Sequence, residues 1–312
     1  MPRIDAHAHV LPPGYVDLLR LPDGKPFPLP PAPRDALFET MERFRIDAAV
    51  VSTGPPGAFL GDVGRARELA RAANEGLAEL VRAEPTRFAG LALLPLPDVE
   101  ASLEELDHAL DTLRLDGVML LTNVGGTYVG DAAWDPVFDE FERRGAYVFL
   151  HPGFPPHALP LPEHPVWLYE FPFDTTRALA NLVYSGTLER CPSMRLQAAH
   201  LGGAGPFLAH RIASLEAREP ALAARAPQGA VTYLARLWYD TGLANHAPGL
   251  AATRELTSAD RVVFGTDWPY CAIPADGDDL TPDLTYLGAE ERARVEGAYV
   301  SALVPRLAEA HR

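Results

Sequence analysis

The sequence predicts an α/β protein in which a single domain, residues 1–312, forms a (β/α)8 barrel. Three observations carry that prediction. Eight short apolar runs rich in β-branched residues recur along the chain, segments with apolar residues at helical spacing separate them, and metal-ligating residue types follow several of the runs at the same end. Strands that alternate with helices pair in parallel through right-handed crossovers, and eight such units point to closure, since an open doubly wound sheet more often stops earlier.

The predicted strands are Ile4 to Val10, Asp47 to Thr53, Phe88 to Leu94, Leu115 to Thr122, Ala146 to His151, Arg195 to His200, Leu237 to Thr241 and Val262 to Asp267. Helical spacing marks Asp62 to Glu84, Leu103 to Leu113, Pro136 to Arg144, Thr176 to Arg190 and Phe207 to Arg218, with a closing helix over Glu290 to Glu309. Two proline-rich stretches, Pro12 to Pro33 and Pro152 to Pro172, follow the first and fifth strands. Proline cannot donate to a ladder and stiffens a loop, so both are expected to be ordered loops over the C-terminal mouth.

Hydrophobic residues make up 47% and charged residues 22% of the chain, the composition of a globular protein with a large core. A formal charge of -15 and a pI near 5.1 argue against nucleic acid, because phosphate binding needs clustered lysine and arginine. Cys191 and Cys271 stand far apart without CxxC spacing, which fits a reducing cytosol and supplies no disulfide framework. Met1-Pro2-Arg3-Ile4-Asp5 leads straight into the first motif with no charged and apolar leader, and no apolar run reaches transmembrane length. A cytoplasmic location, no membrane contact and a small-molecule partner are expected.

Asp5-Ala6-His7-Ala8-His9 ends the first strand, where the period of two puts His7 and His9 on one face. An HxH pair alone is a common coincidence. The ends of other strands strengthen it: His151 follows Tyr147-Val148-Phe149-Leu150, His200 follows Gln197-Ala198-Ala199, and Asp267 follows Val263-Phe264-Gly265-Thr266. A buried strand has no structural need of a terminal His or Asp, and an unpartnered polar group there is costly, so these side chains point to convergence on a cation. Imidazoles and a carboxylate suit Zn2+, Mn2+ or Fe2+ and not Ca2+.

The same residues carry a resemblance. The HxH strand, His151-Pro152, His200-Leu201-Gly202-Gly203 and Gly265-Thr266-Asp267-Trp268-Pro269 resemble the amidohydrolase superfamily in its aminocarboxymuconate-semialdehyde decarboxylase-like branch, over nearly the whole chain. Asp174-Thr175-Thr176-Arg177, the stretch from Ser185 to Pro192, and Tyr239-Asp240-Thr241 support it. The resemblance implies that His7, His9, His151 and Asp267 bind one divalent metal ion, Zn2+ with Mn2+ as the alternative, that His200 is catalytic beside it, and that the protein is a homodimer. The fourth strand ends Leu120-Leu121-Thr122-Asn123, without the lysine that two-metal relatives carboxylate, so a single ion is implied. The Thr53 to Gly57 loop, Asn123 to Tyr128 and Phe171-Pro172-Phe173-Asp174 look like aromatic-acid decarboxylases of the 6-methylsalicylate type, whereas Gly297-Ala298-Tyr299 departs from the family's usual Gly-Asn-Ala step.

The expected function is therefore metal-dependent nonoxidative decarboxylation of a small hydroxybenzoate-like or muconate-like carboxylic acid. The ring carbon must be protonated before CO2 leaves, and Asp267 and His200 are alternative donors. The rival expectation is a hydrolase or hydratase acting on a lactone, ester or unsaturated acid through a metal-bound hydroxide. Phe173, Arg177 and Trp268 are the expected substrate contacts, with Phe59, Phe154, Trp167 and Tyr270 as further candidate walls; Arg177 reads equally as an ordinary salt bridge. His157, His164 and His246 fall on mouth-side loops, and His108, His210 and His311 read as structural residues.

Overall fold

The computed structural model describes residues 1–311 except 22, 31, 157–162, 272, 275, 277–279, 281–283 and 285–286. Eight strands pair in parallel, in chain order, as Ile4–His9, Ala48–Ser52, Phe88–Leu93, Gly117–Leu121, Tyr147–His151, Arg195–Ala198, Trp238–Asp240 and Val262–Val263. The cylinder closes between the last and first strands through backbone bonds: Ala6 N donates to Phe264 O, Asp267 N to His7 O and His9 N to Trp268 O, each at 2.8 Å. A two-residue antiparallel ribbon, Asn123–Val124 with Thr127–Tyr128, stands on the loop after the fourth strand.

The strand period of two sorts side chains between the barrel's interior and its helical jacket. Val50, Leu91, Met119, Phe149 and Val263 share one buried cluster, whereas Val51, Ala92, Val118, Leu150 and Leu196 pack with Leu77, Leu106, Phe138 and Leu179 from the surrounding helices. Between successive strands run Arg34–Arg43, Val63–Ala83, Val99–Asp107, Asp135–Arg144, Glu170–Tyr184, Gly205–Ala213 and Ala247–Leu256. Val63–Ala83 starts on Asp62, whose side chain accepts Arg65 N–H. Among the described residues no helix is long and apolar enough to cross a membrane.

At their C-terminal ends the predicted strands overrun most in the sixth and eighth. The sixth and eighth stop at Ala198 and Val263, because His200, Leu201 and Asp267 take positive φ angles of 55°, 51° and 63°, which an extended ladder cannot accommodate. Such backbone costs about 1–3 kcal/mol per residue and gathers at functional sites. The helices Arg34–Arg43 and Ala247–Leu256 were not among those predicted, and neither was Pro13–Leu18 inside the first proline-rich stretch, where proline opens the first turn. The closing helix is broken into Ala289–Ala293, a π turn over Arg294–Ala298, a 3-10 turn over Tyr299–Ala302, and Pro305–Ala310. Gly297 explains part of that: a Cβ there would lie 1.9 Å from Pro2 O, so the backbone itself packs on the N-terminal segment.

Candidate metal centre

His7 and His9 project from the first strand and His151 from the end of the fifth, while Asp267 sits in the left-handed turn after the eighth; all four are buried. One potential ligand atom from each lies within 4.8 Å of all the others. Asp267 Oδ1 is the hub, 3.1 Å from His7 Nε2, 3.0 Å from His9 Nε2 and 4.0 Å from His151 Nε2. His7 Nε2 and His9 Nε2 are themselves 3.1 Å apart.

The donor set fits a cation on two further observations. His151 Nε2 is buried without a hydrogen-bond partner, while its Nδ1 is 2.9 Å from Pro152 O, so the ring aims an unpaired nitrogen into the cluster. Burial disfavours a charged His7, yet Asp240 and then Asp267 beside it raise that imidazole from 6.5 to about 10. Two carboxylates around one imidazole thus demand positive charge. Burial lowers His9, and lowers His151 much further with help from the neighbouring imidazoles, leaving both as neutral rings fit to ligate. Asp267 is held well below the usual carboxylate range because His7, His200 and His9 outweigh its burial.

Second partners fix each ligand. His7 Nδ1 meets Asp240 Oδ1 at 2.9 Å and His9 Nδ1 meets Ser52 Oγ at 3.1 Å, an outer layer of the kind that sets tautomer and ring orientation. Asp240 Oδ2 accepts Gln197 Nε2 at 2.8 Å. Asp5 ties the first strand to the eighth, accepting His7 N–H at 2.9 Å and the Thr266 hydroxyl at 2.6 Å. Neither Asp240 nor Ser52 was read as a site residue from sequence. Asp240 did leave a signal, a carboxylate ending an apolar run as Asp267 does.

His200 lies beside this cluster in a 3-10 turn, its Nε2 3.2 Å from Asp267 Oδ2 and its Nδ1 buried without a partner. Asp267 therefore turns one oxygen to the ligand imidazoles and the other to His200. Above them opens a cavity of about 540 Å³ bordered by His151, His200, Asp267, Phe154, Phe171 and Tyr270, with Phe27 to Pro30 from the first proline-rich stretch and Trp167 and Pro172 from the second. No lysine or arginine lines it among the described residues. His246 lies on its wall, His164 is exposed elsewhere, and His157 lies outside the described residues.

Phe173, Arg177 and Trp268 do not border this cavity. Phe173 is 47% exposed and meets Tyr169 edge to face, Arg177 reaches Glu170 at 3.9 Å and Asp174 at 4.0 Å, and Trp268 is buried in the outer core. Each sits one residue off or one helical turn behind the wall formed by Phe171, Pro172, Asp267 and Tyr270. Phe59 borders a neighbouring space instead.

Fold and site together define a (β/α)8 barrel with a buried His3Asp metal-binding site at its C-terminal mouth. The chain belongs to the Amidohydrolase family, whose profile matches residues 4–297. It is 31% identical to the 6-methylsalicylic acid decarboxylase of Penicillium expansum, over 98% of this chain and 97% of that one. It is also 31% identical to the 2-amino-3-carboxymuconate-6-semialdehyde decarboxylase of Dictyostelium discoideum, over 76% of this chain and 66% of the relative. The fold matches that of a dihydroxybenzoic acid decarboxylase from Polaromonas sp. with bound manganese, with a TM-score of 0.79 at 22% identity, covering 100% of this chain and 98% of the other.

Proposed function

We propose that this protein is a metal-dependent nonoxidative decarboxylase, a carboxy-lyase, of a small hydroxybenzoate-like acid. The observation that carries the reading is the His200–Asp267 pair at the floor of an aromatic-walled cavity, 3.2 Å apart and next to the three ligand imidazoles. The relatives named for 6-methylsalicylic acid support the substrate class. So does the wall: among the described residues no lysine or arginine lines it to receive a second carboxylate of a muconate-like diacid.

His7, His9, His151 and Asp267 would hold a divalent ion, which would supply Lewis acidity and charge stabilisation to a bound acid. Phe154, Phe171, Trp167 and Tyr270 hold the ring and keep water from it. The His200–Asp267 pair holds the proton that is delivered to the ring carbon bearing the carboxylate. As that C–H bond forms the ring loses aromaticity, the C–C bond to the carboxylate then breaks, CO2 departs, and its bonding electrons restore the aromatic phenol. His200 and Asp267 regain the proton from solvent. Phe173, Arg177 and Trp268 act one layer out, bracing these walls.

The proposed ion is zinc, which an N3O donor set suits, with manganese as the alternative that elemental analysis separates. A cytoplasmic homodimer completes the proposal, supported by two unpaired cysteines and by the family resemblance. The test is turnover of hydroxybenzoates and muconate-like acids by the metal-loaded protein, following CO2. Ring opening of a lactone with no CO2 from any acid would put the hydrolase reading in its place.

A further inference from the structure

We propose that an apolar space beside the metal cavity is a second substrate subsite, built for an alkyl substituent longer than a methyl group on the aromatic acid. The inference rests on the decarboxylase reading for the identity of the acid. The space has a volume of about 410 Å³, within the range of roughly 300–1,000 Å³ that holds whole small ligands and well beyond what one methyl needs. Phe27 and Phe154 border both this space and the metal cavity, so the two abut across those rings.

Its walls select for apolarity. Leu93, Met119 and Leu121 come from the inward faces of the third and fourth strands, and Phe59 from the loop after the second. Asn123 is the one polar side chain on the wall among the described residues, and its amide nitrogen already donates to Phe154 O at 3.2 Å and to Asp174 Oδ2 at 3.0 Å. A second carboxylate placed there would lose its water and find no cationic side chain among the described wall residues. An alkyl chain loses nothing.

The space is also preformed. Gly57, at φ 76°, backs Leu121 so closely that a Cβ would lie 2.8 Å from Leu121 Cδ1, and Gly125, at φ 58°, backs Phe59 with a Cβ position 2.9 Å from Phe59 Cε1. Only glycine permits these close approaches in left-handed backbone, so two loops pack their main chain directly against wall side chains.

The experiment uses the metal-loaded protein and salicylates carrying methyl, propyl or pentyl at each ring position in turn. It reads kcat/KM from CO2 release and, independently of turnover, the Kd of the corresponding alkylphenols by tryptophan quenching. At one ring position both are expected to improve by about fourfold per methylene. Val124→Phe should flatten that slope by filling the space, with Ala58→Leu as a second filler from another wall. Decarboxylation of the methyl acid with affinities that are flat or fall with chain length would overturn the subsite and leave the decarboxylase standing. A rising phenol series with no CO2 from any acid would do the reverse. A slope that persists unchanged in both fillers, in soluble folded protein, would place the chain elsewhere and also overturn the subsite.

Discussion

Asp240 Oδ1 lies 2.9 Å from His7 Nδ1, and the same oxygen accepts the backbone N–H of Gly242 at 3.0 Å and of His200 at 3.2 Å. One buried carboxylate from the seventh strand thus orients a metal ligand from the first and anchors the turn that presents His200. Burial opposes its charge, but His7 and His200 nearby, with the Gln197 amide, keep it ionised below its ordinary range. Asp240→Asn keeps the shape and removes the charge. We expect a loss of metal affinity of about 10–100-fold, read by competition with a chelator, with a far-UV spectrum like that of the parent. Unchanged affinity would mean that Asp240 serves only the backbone.

His151→Ala tests the ligand whose free nitrogen is orphaned in the protein. Among the described residues the ring's one hydrogen bond is through Nδ1 to Pro152 O, so truncation removes a donor to the ion together with edge contacts to His7, His9, Phe149 and His200. Bound metal should fall below one equivalent and CO2 release should vanish while helix content is retained. Full metal occupancy in the variant would remove His151 from the ligand set.

His200 predicts the opposite split. Its Nε2 faces Asp267 Oδ2 and not the hub oxygen Oδ1, so His200→Ala should keep the metal and lose roughly 10²–10⁴-fold in kcat, the span of a general acid or base. His200→Gln separates orientation from proton transfer. Recovery of most activity in Gln would make His200 an orienter and leave Asp267 as the donor.

The HxH pair and His151 were legible because alternation along a strand is a local property, and so was the barrel, because each βα unit declares itself within a few dozen residues. Asp267 and His200 were legible as residues but not in their backbone: a left-handed turn at Asp or His has no marker of the kind glycine provides. Asp240 stood in plain view and was passed over as a site residue, since its role depends on facing His7, 233 positions away. The walls were least legible. Phe171 and Phe173 differ by two residues at the start of one helix, and only its rotation decides that Phe171 borders the cavity while Phe173 is 47% exposed.

The charge balance at His7 yields a pH signature. Its imidazole is raised from 6.5 to about 10 by Asp240 and Asp267 against the effect of burial. In metal-free protein the stabilisation from that proton is complete below pH 6.5 and is lost as pH rises through about 10. With metal bound His7 is a neutral ligand, so that decline is absent and metal affinity itself rises with pH. The gap in Tm between metal-loaded and chelated protein should therefore widen from about pH 7 to about pH 9, and metal uptake near pH 7 should release about one proton. Parallel Tm curves would show that His7 is not the proton-bearing group.

Gly242 gives the sharpest geometric test, because it touches the site through the space that its missing side chain leaves. A Cβ there would lie 2.7 Å from His7 Nδ1, 3.0 Å from Asp240 Oδ1 and 3.3 Å from Asp267 Cβ. All three neighbours belong to the ligand layer or its support, and the first two are the atoms of one hydrogen bond, so no flexible chain end can yield. Gly242→Ala must push His7 and Asp240 apart, at about 1–3 kcal/mol of stability together with the loss of their mutual orientation. Gly61 provides the control, with φ 97° and nothing within 4 Å of its Cβ position: Gly61→Ala strains the backbone by a comparable amount without approaching the metal centre. Both variants should lower Tm, but only Gly242→Ala should weaken metal binding and turnover. Equal metal affinity in the two would mean that the His7–Asp240 contact does not govern the centre.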